Sequence, residues 1–156
     1  MESLIYEPAN PGNLGTIIRS AAALGVNRIH VYDAQGLLER GTKNLREVKR
    51  ASMGALSLIE VVAIEDSKGL QRFFSEYPYR KIATVCNGEN SVDLPSFIYQ
   101  ATDLVLFGNE RNGLPMEITE RKDVQRLRIP MQRTLNSLNI SCAFAIIAYE
   151  YMRQFE

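Results

Sequence analysis

Apolar and polar positions along the chain switch repeatedly between two periods. Short β-prone runs are separated by segments whose apolar residues recur at helical spacing. The first run, "SLIYE" at Ser3–Glu7, is stopped by Pro8 and Pro11. Leu14, Ile17, Ile18, Ala21 and Ala22 then mark one face of a helix, which Gly25 closes as a C-terminal cap. A strand returns in "RIHVYD". After it come a polar, basic stretch from Arg40 to Arg50, the apolar run "ALSLIEVVAI", and a helix around Gly69–Tyr77. Arg80–Val85 and Asp103–Gly108 read as strands, a short helix follows Pro115, and "VQRLRIP" ends a last strand at Pro130. The final helix is expected from about Ser137 to Phe155. Strands alternating with helices imply an α/β fold with a mainly parallel sheet covered on both faces.

The 156 residues fit one domain, spanning 1–156, with neither a repeat nor a linker to divide it. Hydrophobic residues at 46% and charged residues at 23% are those of a chain that folds around a core. The formal charge is zero, so a nucleic-acid partner would have to meet a local basic patch and not a global field. Cys86 and Cys142 stand in apolar stretches and are too few for a disulfide framework, which points to a reducing cytoplasm. With a single histidine, His30, they are also too few for a His/Cys metal site. "MESLIYEP" has no basic segment followed by an apolar run, so no signal peptide is expected. The apolar stretch Ile140–Tyr149 is about half of what a membrane span requires.

Two readings compete for the chemistry. The N-terminal strand, "PGNLG", helix, strand and Asp33 imitate a dinucleotide-binding unit. Gly12 and Gly15, however, give G-x-x-G and not G-x-G-x-x-G, and Asn13 is equally well explained as a helix cap. The other reading joins three separated stretches: "NPGNLGTIIRSAAALG", "LVLFGNERNGLP" and "RIPMQRTLNSLNISCAFAIIAYEY". Their loops, Asn10–Asn13, Gly108–Gly113 and Pro130–Asn139, are expected beyond the carboxyl ends of the strands, where open parallel sheets bind ligands. Asn13 at the helix entry and Arg19 in its second turn are both expected to approach that site.

With all three stretches in order, from "YEPANPGNLGTIIR" to "AYEY", the chain resembles the SpoU/TrmH branch of the SPOUT methyltransferases. The resemblance implies methylation of a ribose 2′-hydroxyl of tRNA or, second, rRNA from S-adenosylmethionine. It also implies a C-terminal deep trefoil knot and a homodimer with its sites near the subunit interface. Periodicity shows none of these. Carried over by motif, Asn13, Arg19, Glu110, Ser137 and Asn139 are the expected catalytic set. The expected cofactor loops contain Thr84, Gly108, Ile129, Ser137 and Leu138. Arg133 departs from the glycine that many members carry, which raises either a restricted loop or an extra charge for phosphate. The alternatives are an RNA-binding protein of the same fold without turnover, and a nucleotide-dependent enzyme built on the N-terminal glycine loop.

The residue types suit the implied chemistry. An alcohol is a poor nucleophile and a sulfonium methyl is already activated, so catalysis means placing oxygen against carbon and easing the proton away. Arg19 can fix a phosphate bidentately and stabilise a developing alkoxide; a guanidinium holds its proton too tightly to be a ready base. No metal is needed. Taken singly, each residue has a plainer explanation: Ser137 as an N-cap, Glu110 as a solvated charge, Arg19 as a surface residue. Lys43, Arg46 and Arg50 would share one side of a helix, either as a solvated face or as a patch for RNA phosphates. His30, inside an apolar strand, is read as structural, and the all-round apolar start of the last helix as buried against the sheet and a partner subunit.

Overall fold

The computed structural model describes residues 1–88, 90–132 and 137–155. Among these residues seven strands form one sheet: β1 (Glu2–Tyr6), β2 (Arg28–Tyr32), β3 (Glu60–Ile64), β4 (Lys81–Val85), β5 (Ser91–Asp93), β6 (Leu104–Phe107) and β7 (Val124–Arg128). Their order is β3-β2-β1-β6-β4-β7-β5, and the six pairings are all parallel. Five α-helices accompany them among the described residues: α1 (Pro11–Ala23), α2 (Lys43–Ser52), α3 (Ser67–Glu76), α4 (Met116–Thr119) and α5 (Ile140–Phe155).

The strands lack polar alternation because both faces of the sheet are covered. Leu4 and Ile5 are adjacent and fully buried on opposite sides. On one side Ile5, Val105 and Phe107 meet Leu14, Ile17 and Ile18 of α1 and Phe144 and Ile147 of α5. On the other, Leu4, Ala83 and Leu106 share a core with Phe74 of α3 and Ile118 of α4. His30 is buried as expected, its Nε2 2.6 Å from Glu2 Oε2, and its ring lies against Phe73.

The strand order fixes where a site can form. From β1 the chain first runs outward through β2 and β3; β6, β4, β7 and β5 then fill the opposite side. The loops after β1 and β6 therefore face each other at the point where the winding reverses, and such a crevice is where open parallel sheets take ligands.

Three expectations need correction. The last helix begins at Ile140, three residues beyond Ser137. Strand β5 and the 3₁₀ turn Leu94–Ser96 were not foreseen. Cys86 and Cys142 are both exposed, because Cys86 follows the end of β4 and Cys142 sits on the outer side of α5's first turn.

Candidate active site

The loop after β6 is a closed ring of backbone. Asn109 and Gly113 exchange hydrogen bonds, N–H to carbonyl, at 3.1 and 2.9 Å. Within the ring Asn109 Oδ1 accepts from the backbone N–H groups of Arg111 (2.9 Å) and Asn112 (3.2 Å), an Asx turn. Gly113 closes the ring at φ 67°, a left-handed conformation that glycine adopts without strain. Gly108 is required for a different reason: a Cβ there would lie 2.3 Å from the backbone carbon of Gly113 and the nitrogen of Leu114. The Asn109 amide also donates to the Glu7 carbonyl at 2.6 Å, tying this loop to the end of β1.

Glu110 then reaches across the crevice. Its Oε2 accepts from the Ala9 N–H (2.8 Å), and its Oε1 from the Asn10 N–H (3.2 Å) and from Asn13 Nδ2 (3.1 Å). Burial pushes the carboxyl's pKa upward, but the donations from Ala9, Asn13, its own N–H and Asn10 outweigh that and hold it below the usual 4.5. Glu110 is thus a carboxylate anchor at the entry to α1. A carboxylate only accepts, so Asn13 must turn its NH₂ to Glu110, and its Oδ1 is left to accept from Asn139 Nδ2 at 3.1 Å.

Asn139 completes the chain and opens α5. Its carbonyl accepts from the Ala143 N–H, while its Oδ1 accepts from the N–H (2.9 Å) and the hydroxyl (2.7 Å) of Ser141. Asn139, and not Ser137, is therefore the capping residue. One continuous run of hydrogen bonds, Glu110–Asn13–Asn139–Ser141, joins all three sequence stretches.

Beside it opens a cavity of about 700 Å³. Its lining includes Asn13, Thr84, Gly108, Glu110, Ser137, Leu138 and Asn139. A narrow apolar slot of about 70 Å³ adjoins it, shared by Thr84 and Leu138 and closed by Leu127, Ile129, Met131 and Ile147. The Thr84 hydroxyl is already engaged, donating to the Leu106 carbonyl at 2.9 Å. All five expected cofactor residues therefore gather here, and four of the five catalytic candidates do. Arg19 does not: it is exposed, and it is absent from the cavity wall. Six residues along a helix is a turn of about 240°, so with Asn13 facing the crevice Arg19 points away. Sequence reasoning missed Val85, Cys86, Asn87 and Ala143, which are not among the residues singled out from the three stretches. Arg133 and Asn136 lie outside the described residues.

The N-terminal glycines do not form a phosphate cradle. A Cβ on Gly15 would lie 2.5 Å from the Ala51 side chain and 2.6 Å from the Val48 carbonyl, so Gly15 permits the close crossing of α1 and α2. Backbone N–H groups at the α1 entry already face Glu110. Asp33, which would hold a ribose in that reading, is buried and accepts from the N–H groups of Leu37 (2.7 Å) and Leu38 (2.8 Å). On α2, Lys43, Arg46 and Arg50 are exposed, with Thr42 as the cap accepting from Leu45 N–H at 3.1 Å.

Fold and site together define an α/β protein whose ligand crevice is organised by amides and one carboxylate. Residues 3–149 match the family described as SpoU rRNA Methylase. The tRNA (cytidine(34)-2′-O)-methyltransferase of Escherichia coli is 32% identical over 97% of this chain and 91% of its own length. The enzyme of the same name from Aeromonas hydrophila is 33% identical, covering 99% and 94%. Among solved structures, one described as giving insight into the 2-OH methylation of C/U34 on tRNA aligns with TM-score 0.83 and 30% identity, over 99% of this chain and 95% of the other. The AdoMet complex of the SpoU methyltransferase AviRb from Streptomyces viridochromogenes aligns with TM-score 0.80 and 28% identity, over 99% and 60%. The chain belongs to the SpoU methylase family.

Proposed function

We propose that this protein transfers a methyl group from S-adenosylmethionine to the ribose 2′-hydroxyl of nucleotide 34 in tRNA. The observation that carries this reading is the Glu110–Asn13–Asn139 chain at the mouth of the cavity. It supports turnover over a merely RNA-binding protein, because the amides of Asn13 and Asn139 are held in one orientation by a single carboxylate, from three separate stretches of the chain. Near-complete correspondence with the tRNA enzymes favours tRNA. The AdoMet-bound rRNA methyltransferase structure from Sinorhizobium meliloti is instead matched over only 56% of its length.

The residues present suit S-adenosylmethionine: a polar mouth for its charged groups, an apolar slot bounded by Ile129 and Leu138, and a glycine, Gly108, where any side chain would obstruct the loop. When bound, it supplies a methyl group already activated for displacement. Asn13 and Asn139, fixed by Glu110, orient the ribose, and Ser137 at the cavity wall adds a hydroxyl. Arg19 stabilises charge developing on the 2′-oxygen.

Since Arg19 faces away from its own chain's cavity, it acts in a homodimer, across the interface. The outer side of α5 supports such an assembly: Ile146 and Tyr149 are 41% and 56% exposed and border a groove with Leu94 and Pro95. Lys43, Arg46 and Arg50 hold RNA phosphates, and the chain past β7 forms the family's trefoil knot.

The test is incubation with undermodified tRNA and labelled S-adenosylmethionine, followed by mapping of alkali-resistant linkages. A labelled 2′-O-methyl ribose at position 34 is expected; label on a base, or none in any tRNA, refutes the reading.

A further inference from the structure

We propose that Arg111 holds an RNA phosphate at the mouth of the cavity, a substrate-positioning arginine contributed by the same chain as Glu110 and separate from Arg19. The inference rests on the ribose-methyltransferase reading above. Among the described residues, only two charged side chains, Glu110 and Arg111, belong to the cavity lining. The charge of Glu110 is committed to the N–H groups of Ala9 and Asn10 and to the Asn13 amide. Arg111 is exposed, and among the described residues its guanidinium has neither a hydrogen bond nor an ion pair. Among the described residues the cavity therefore presents one uncommitted positive charge, with five donors in a planar fork that matches two phosphate oxygens.

The backbone beneath that charge is fixed. The Arg111 N–H donates to Asn109 Oδ1 at 2.9 Å, and Asn109 in turn is bonded to Gly113 and to the Glu7 carbonyl. A phosphate held by Arg111 is thereby placed in register with Glu110, the adjacent residue, and through it with Asn13. No hydrogen bond or ion pair to a described residue gives the side chain a part in folding. The other anion that could meet this arginine is the carboxylate of S-adenosylmethionine. We assign the phosphate because Arg111 stands on the exposed rim, while the apolar slot that suits the cofactor lies behind Thr84 and Leu138.

Wild type, Arg111→Ala and Arg111→Lys are compared in three measurements: S-adenosylhomocysteine affinity, tRNA affinity against salt with S-adenosylhomocysteine present, and KM and kcat for methyl transfer. Arg111→Ala is expected to weaken tRNA binding and raise KM by about tenfold or more, the scale of one charge-assisted hydrogen-bonded contact. The salt slope should fall by about 0.7, one phosphate in a single-stranded segment. S-adenosylhomocysteine affinity and kcat at saturating tRNA should hold, and Arg111→Lys should restore the slope but only part of the affinity. A drop in S-adenosylhomocysteine affinity with an unchanged tRNA slope overturns the assignment in favour of the cofactor carboxylate. An unchanged slope and KM in Arg111→Ala overturns it outright, as does a wild type that binds no tRNA. If the slope responds to Arg111 while the wild type methylates no RNA, the phosphate contact stands and the ribose-methyltransferase reading fails.

Discussion

Replacing Glu110 with Gln removes the charge from the centre of the site while keeping its shape. From other residues the carboxylate accepts three hydrogen bonds, donated by Ala9 N–H (2.8 Å), Asn10 N–H (3.2 Å) and Asn13 Nδ2 (3.1 Å). A glutamine has one acceptor oxygen, so its NH₂ must oppose at least one of these donors. A hydrogen bond to a charged group contributes roughly 1.5–3 kcal/mol when shielded. Glu110 is partly exposed, and solvent screening reduces the loss for the whole set to about 2 kcal/mol. For a domain of this length that lowers Tm by about 5 °C at neutral pH.

The pH dependence sharpens the test. Glu110 titrates below the usual 4.5 in the folded protein, so the unfolded chain binds the proton more readily. Its contribution is therefore fully present above pH 4.5 and disappears as pH falls through the lower, folded value. Thermal unfolding of wild type and Glu110→Gln should show a gap at pH 7 that narrows steadily below pH 4.5. Methyl transfer should fall about a hundredfold, since Asn13 loses its fixed orientation. A variant as stable as wild type at pH 7, or a gap of constant size down to pH 3, would refute the anchoring role.

Changing Lys43, Arg46 and Arg50 together to Gln should flatten the salt dependence of tRNA binding by about two units and leave S-adenosylhomocysteine affinity alone; an unchanged slope would make α2 a solvated face. If Arg19 acts across a dimer, randomly mixed chains of Arg19→Ala and Asn13→Ala should regain about a quarter of wild-type activity, because half the dimers then hold one complete site. No recovery in the mixture, with both variants dimeric in sedimentation, would place Arg19 in its own chain's site.

Element types were legible because periodicity reports burial directly. Leu14, Ile17 and Ile18 announced α1 at the spacing by which they now contact the sheet. Strand β5 escaped because three residues are too few to show a period; it is held by the pairing of Ser91, Val92 and Asp93 with β7 and by Arg128 donating to Asp93 at 2.6 and 2.8 Å. Neither contact leaves a local trace. Strand order is likewise nonlocal, so the facing of the β1 and β6 loops could be expected only from the general rule for parallel sheets. Within the site, the residue types carried the information and the helix geometry did not. Asn13, Glu110 and Asn139 converge as their chemistry requires, whereas counting Arg19 into the same crevice overlooked the turn of the helix between positions 13 and 19. Arg111 was visible as part of a polar loop, but that its guanidinium pairs with none of the described residues is a property of the folded chain alone.

The hydrogen-bonding residues before α5 have two duties, and Asn139 discharges both with one side chain. Its Oδ1 caps the helix through Ser141, and its Nδ2 meets Asn13. Alanine would remove both, so a loss of activity in Asn139→Ala would follow equally from a frayed helix costing about 1 kcal/mol. Aspartate separates them. Asn139→Asp keeps an acceptor for Ser141 and places negative charge at the start of a 16-residue helix, where the dipole favours it. Its other oxygen, however, faces the Oδ1 of Asn13, acceptor against acceptor. Asn13 cannot turn its amide to relieve this without presenting that oxygen to Glu110, which also only accepts. Asn139→Asp should therefore melt within about 2 °C of wild type and lose methyl transfer by about a hundredfold. A fully active Asn139→Asp would mean that Asn139 only caps α5 and that the link to Asn13 has no part in orienting the ribose.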